Sequence, residues 1–244
     1  LALALGCGLL LIAFLALLFL FSLGSIAAFY TDFLWFDQLG FRDMFVKRLA
    51  VRAAMFAVGF VVALAILLIN WWAAARRAGD GNGPPAGAGR LVIPGVAVLF
   101  AFLLASAAAG RWEQVLLYLN AEPFGVQAPI FGRDMAFYVF YLPVYRFVQG
   151  WLAAALFIAL IGLLVIYLAP NWGEMQRGAW RPRGSAAMRR HMAVTGGFLL
   201  LILAAGYALD VFGLLYSTRG VAFGASYTDM TAGLWALRLQ IVFA

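Results

Sequence analysis

Long apolar runs alternate along the chain with short segments that gather nearly all of its charges. The run from Phe147 to Leu168 holds no charged residue and is long enough to cross a bilayer as one helix. Comparable runs predict spans at about 2–23, 51–75, 91–109 and 192–215, with the Phe147 span reaching about 169. Another begins at 234 and is incomplete at 244. The expected fold is all-α: an integral membrane protein, a polytopic bundle of about six spans forming a single transmembrane domain over 1–244.

The segments between the runs carry their own pattern. In 24–40, Ile26, Phe29, Tyr30, Phe33, Leu34 and Phe36 recur at helical spacing, while Asp32, Asp37 and Gln38 fall largely elsewhere. This predicts an amphipathic helix lying at the membrane boundary, closed by Gly40. Asp43 suits the cap of the next helix, with Lys47 one turn on to pair with it. That helix continues through Ala75 and exceeds the hydrocarbon thickness. Ahead of the Phe147 span, Ala128–Arg146 mixes aromatics with Arg133, Asp134 and Arg146, a blend that suits headgroup depth. Pro143 fits the first turn of the following helix. The small residues of Ala78–Gly89 predict a flexible loop.

Composition sharpens the class. With 66% hydrophobic and 11% charged residues, against roughly a quarter charged in soluble domains, a water-soluble core is excluded. The net charge of +7 comes from arginines beside apolar runs, as the positive-inside bias produces, and not from a nucleic-acid-binding face. Basic residues are densest in Arg76–Arg90 and Pro170–Arg190, which places those loops and the N-terminus in the cytoplasm. The aromatic segments 24–50, 110–146 and 216–233 then face outward. The expected location is the bacterial cytoplasmic (inner) membrane, multi-pass. Leu1–Leu23 lacks a basic n-region and reads as a retained span, not a signal peptide. The missing initiator Met and the final apolar residues suggest a fragment of something longer.

Candidate chemistry is sparse. The lone Cys7 permits no intrachain disulfide, and one histidine, His191, permits neither a bis-histidine haem site nor a usual zinc site. The cofactor, if any, is unknown. No phosphate loop or nucleophile elbow appears, and close packing explains Gly6–Gly8. Asp210 is the acid that falls within a predicted span, on one face with Gly206 and Gly213. It is either a proton or cation site or a carboxylate paired with Arg219 or Arg146 near the outer end. Asn70 reads as an interhelical hydrogen-bonding group or an intramembrane polar site. Glu113, Glu122 and Asp134 are expected to pair with Arg111, Arg133 and Arg146. Ala97, Ala101, Ala105 and Ala109 are spaced by four and form a stripe for close helix approach, with a substrate groove as the other reading. Trp35 and Phe36 complete the candidate interface residues.

Three of the outward segments, YTDFLWFDQLGFRDMFVKR at Tyr30–Arg48, PIFGRDMAFYVFYLPVYRFVQGW at Pro129–Trp151 and GLLYSTRGVAFGASYTDM at Gly213–Met230, resemble the bacterial uncharacterised protein family (UPF) 0182. That resemblance implies a bundle of about seven helices followed by a large, mainly extracytoplasmic C-terminal region. It implies no activity and transfers no catalytic residue. The functional expectation is a non-catalytic structural or interaction module, anchoring an extracytoplasmic domain or serving as a subunit of a larger complex. Its expected partners are membrane lipids and other membrane proteins. The alternative is a transporter or channel for an ion, lipid or small envelope component, with Asp210 as its polar site. A membrane enzyme ranks third, with a site near Glu113, Asp134 and Arg133 or beyond this chain.

Overall fold

The computed structural model describes residues 19, 23–78, 89–168, 186–217 and 224–244. Helix dominates, and among the described residues the one β-type pairing is an antiparallel bridge between Gln127 and Asp134. The chain divides into two compact units, Leu1–Arg52 and Ala53–Ala244.

In the first unit, helix α1 covers 23–38 and α2 begins at Arg42. Gly40 adopts a φ of 75°, a left-handed conformation that a Cβ disfavours. The N–H of Gly40 donates to the Asp37 carbonyl at 3.1 Å and that of Phe41 to Phe36 at 2.8 Å. This pair of bonds is a Schellman closure, and it turns the chain back so that α2 packs against α1. Phe45 is the buried centre, with Phe29, Phe33 and Phe36 around it at 5.4, 5.6 and 5.7 Å between ring centroids. Asp43 lies in the first turn of α2, where its charge suits the helix dipole. The ion pair found here is Arg48–Asp32, at 3.6 Å, and not Asp43 with Lys47. Ile26, Tyr30 and Trp35 of α1 remain exposed.

The second unit takes the rest of α2 (Arg42–Ala78), α3 (Gly89–Ala109) and α4 (Trp112–Leu119). A π-helical turn, Phe137–Tyr141, leads into α5 (Leu142–Leu168). Then come α6 (Ala186–Gly213) with a 3-10 turn to Tyr216, and α7 (Leu234–Phe243) behind a second π turn, Asp229–Gly233. α6 packs along α5 on one side and α7 on the other.

Among the described residues, four helices are long and apolar enough to cross a membrane: Arg42–Arg77, Leu91–Ala109, Phe137–Leu168 and Ala186–Tyr216. The expected span at 2–23 lies almost wholly outside the described residues, as do Cys7, Gly6–Gly8, the 78–89 loop, Arg219 and most of Pro170–Arg190. The sixth run appears as the ten residues of α7. The span expected from 147 begins ten residues earlier, and Pro143 sits inside it, just after the π turn. There the ladder has already slipped to i→i+5 bonding, so the missing proline N–H falls at an existing irregularity.

The core is built from small side chains. Ala63, Ala97, Ala101, Ala105, Ala155 and Ala159 are fully buried alongside Leu67 and Leu163. Their size lets helix backbones approach where lipid offers no hydrophobic drive. Ala97 joins Leu67, Trp71 and Ala159 in one cluster, and Ala101 joins Ala63 and Ala155 in a second. The stripe on α3 thus packs against α2 and α5 of the same chain. Large hydrophobics such as Val61, Ile69, Phe102 and Val165 point outward instead. That inverted arrangement suits a hydrocarbon surrounding.

Candidate functional site

The face of α6 bearing Gly206, Asp210 and Gly213 meets α5 at two polar side chains. A Cβ on Gly206 would stand 2.6 Å from Gln149 Nε2, and one on Gly213 would collide with the Arg146 guanidinium. The two glycines therefore make the room that Gln149 and Arg146 fill. Gln149 donates to the Ile202 carbonyl at 3.0 Å. Arg146 pairs with Asp210 at 3.0 Å and reaches the Leu209 carbonyl at 3.5 Å. Of the two sequence-predicted partners for Asp210, Arg146 is the one found. Both side chains are about half exposed, so the pair lies at an open edge of the packing.

That edge opens into a cavity of about 470 Å³ lined by Arg146, Asp210, Ser217, Asp229 and Gln240. Asp229 is buried, and its carboxylate accepts from the Ser226 N–H at 3.1 Å and the Ser226 hydroxyl at 2.9 Å. Ser226 Oγ in turn accepts from the Asp229 N–H at 3.2 Å. This reciprocal cap starts the helical segment ahead of α7. The Ser-x-x-Asp spacing at 226–229 matches such a cap. The lining thus sets one guanidinium against two carboxylates, beside an amide and a hydroxyl.

Asn70 on α2 accepts from the Thr195 hydroxyl on α6 at 3.0 Å and donates to the Ile66 carbonyl at 2.8 Å. Thr195 is itself buried. Two indoles make similar links: Trp71 Nε1 donates to the Ala159 carbonyl at 3.0 Å, and Trp151 Nε1 to that of Leu104 at 2.8 Å. His191 Nδ1 lies 3.1 Å from Arg77 and 3.0 Å from the Tyr167 hydroxyl. A guanidinium only donates, so Nδ1 is the acceptor and the imidazole proton sits on Nε2. Trp35 is exposed and meets Phe36 edge-on at 5.1 Å, with Phe36 half-buried toward Phe45.

The expected ion pairs around 110–146 are replaced by other contacts. Asp134 accepts from the N–H groups of Phe124, Gly125 and Ala136 at 3.0, 2.8 and 2.8 Å. The backbone bonds from Ala136 and Phe124 hold its carboxyl below the usual carboxylate range, against a small opposing effect of burial. The Arg133 guanidinium sits over the rings of Phe137 and Phe212, at 4.6 and 5.0 Å. Arg111 lies over Phe147 at 5.8 Å. Among the described residues Glu113 and Glu122 form no ion pair.

No solved structure matches this chain. A family model described as "Uncharacterised protein family (UPF0182)" matches residues 9–244. A UPF0182 protein of Bradyrhizobium diazoefficiens is 33% identical over 95% of this chain and 27% of its own length. One from an Arthrobacter species is 36% identical over 83% of this chain and 21% of its own, and one from a Synechococcus species 34% over 90% and 24%. The chain spans about a quarter of the length of these curated relatives. With the family model covering nearly all of it, this chain belongs to the uncharacterised protein family UPF0182.

Proposed function

We propose that the chain is a non-catalytic, membrane-embedded module that anchors the remainder of a longer protein or docks it into a larger membrane assembly. One observation carries this reading: several polar side chains within the spans are spent on neighbouring helices. Trp71, Trp151 and Gln149 bond to backbone carbonyls, Asn70 to Thr195, and Arg146 to Asp210. Such links stiffen a scaffold and leave few groups to escort a solute. The relatives' greater length supplies the part to be anchored. Arginine density supports a cytoplasmic N-terminus, which fits a protein of the bacterial inner membrane. Affinity purification of the full-length protein from its native membrane tests the reading. Partners recovered at fixed stoichiometry support it, and a partner-free protein that conducts a solute in liposomes overturns it.

A second reading, transport of an ion, lipid or small envelope component, is favoured by the polar cavity at Asp210 and Asp229. In that case Asp210→Asn abolishes flux while the fold persists.

A further inference from the structure

At the opposite end of the second unit, the last turn of α2 and the first turns of α6 enclose a cleft of about 660 Å³. Arg77, Arg190 and His191 supply its polar side, while Ala186, Ala187 and Val194 supply a small apolar floor. The cleft lies where two candidate spans end, one at Arg77 and the other at Ala186. This is the depth at which a bilayer changes from hydrocarbon to headgroups.

The Arg77 guanidinium is held in place, unlike that of a loose surface arginine. One terminal nitrogen of Arg77 is fixed on His191 Nδ1, and His191 is fixed in turn by the hydroxyl of buried Tyr167. The fork of Arg77 is thereby held, with its remaining N–H groups unspent on His191. His191 is neutral in this arrangement, since Nδ1 accepts from the Arg77 guanidinium, so it orients charge without adding any. Neighbouring Arg76 turns aside onto the Trp72 ring at 5.8 Å. Among the described residues no carboxylate lies within ion-pair distance of Arg77 or Arg190.

We propose that this cleft binds the phosphate of an anionic phospholipid, with Arg77 and Arg190 gripping the headgroup and the Ala186–Val194 floor receiving the first carbons of the lipid. The amphiphilic lining distinguishes it from a site for a free anion, which needs no apolar floor. Arginine pairs phosphate oxygens through two parallel N–H bonds, and each basic side chain at this depth adds to affinity for anionic lipid. The inference goes beyond an anchoring role and stands whether or not a protein partner is found.

The test is native mass spectrometry of the full-length protein released from nanodiscs of mixed phosphatidylglycerol and phosphatidylcholine. The wild type is expected to retain phosphatidylglycerol preferentially, and the Arg77→Gln/Arg190→Gln double variant to lose that retention by roughly tenfold. Arg190→Gln alone, at an exposed side chain, lowers it several-fold and guards against a folding defect in the double variant. Arg76→Gln keeps wild-type retention. Undiminished phosphatidylglycerol in the double variant overturns the proposal, as does an equal loss in Arg76→Gln, which would mean unspecific charge attraction. Displacement of the lipid by millimolar inorganic phosphate overturns it too, reassigning the cleft to a free anion.

Discussion

The Trp71 indole occupies the space that a side chain on Gly162 would need, and from there its Nε1–H reaches the Ala159 carbonyl at 3.0 Å. The ring on α2 is thus set into a notch on α5, which fixes the two helices in depth and rotation. Gly162→Ala is expected to expel the ring and break the bond, at a cost of about 1–3 kcal/mol. Trp71→Phe keeps much of the packing but loses the donor, for about 1 kcal/mol. Thermal unfolding in detergent measures both, and a wild-type midpoint for Gly162→Ala would refute the notch.

Arg146 and Asp210 form an ion pair that is 44% and 51% exposed, and pairs so open contribute at most about 1 kcal/mol. Asp210→Asn should therefore leave folding and assembly nearly unchanged. Arg146→Gln should cost more, about 1–2 kcal/mol, because it leaves a carboxylate on a span without its cation. Size-exclusion profiles and melting curves of both variants decide the order. Loss of assembly in Asp210→Asn, without any ion dependence, would show that the residue matters more than its exposure suggests.

The lowered pKa of Asp134 makes a statement about acid. A carboxyl held below its ordinary value of 3.8 stabilises the folded loop at pH above that value. The contribution is lost as pH falls through the depressed folded value, and so only below 3.8. Amide signals of Phe124, Gly125 and Ala136 should hold their folded positions at neutral pH and shift together in strong acid. In Asp134→Asn they should be displaced at every pH. Independent titration of the three amides would contradict a shared acceptor.

Tyr138 is buried among Phe137, Phe212 and Tyr216, and among the described residues its hydroxyl has no hydrogen-bond partner. Tyr138→Phe keeps the ring contacts and removes a desolvated polar group. The expected result is a stability unchanged or raised, by up to about 1–2 kcal/mol, read from the unfolding midpoint. A clear drop would reveal a partner for the hydroxyl.

Hydropathy located the middles of α2, α3, α5 and α6 because apolar composition is what a bilayer demands of them. The Asp43 cap announced the charged first turns of α2, which are helical from Arg42, but the start of α5, ten residues ahead of 147, was missed. The π turn at Phe137–Tyr141 is invisible to hydropathy, which records side chains and not the slip of a hydrogen-bond ladder. The spacing of Gly206, Asp210 and Gly213 did expose one face of the polar seam, and Arg146 was one of two named partners. The acceptors and donors that the backbone supplies were out of reach. Asp134 looked like half of an ion pair because three peptide N–H groups leave no mark on a sequence.

The bonds from Trp71, Trp151 and Gln149 all end on peptide carbonyls, at Ala159, Leu104 and Ile202. Every amino acid offers that oxygen, so drift at the receiving positions cannot delete it and no compensating exchange opposite can rescue a lost donor. Paired-substitution statistics, which infer proximity from correlated change, will consequently register the glycines that seat Trp71 and Gln149, at Gly162 and Gly206, but not the bonds themselves. Bonds from a side chain to a neighbouring backbone are fastenings that evolutionary covariation is poorly equipped to detect.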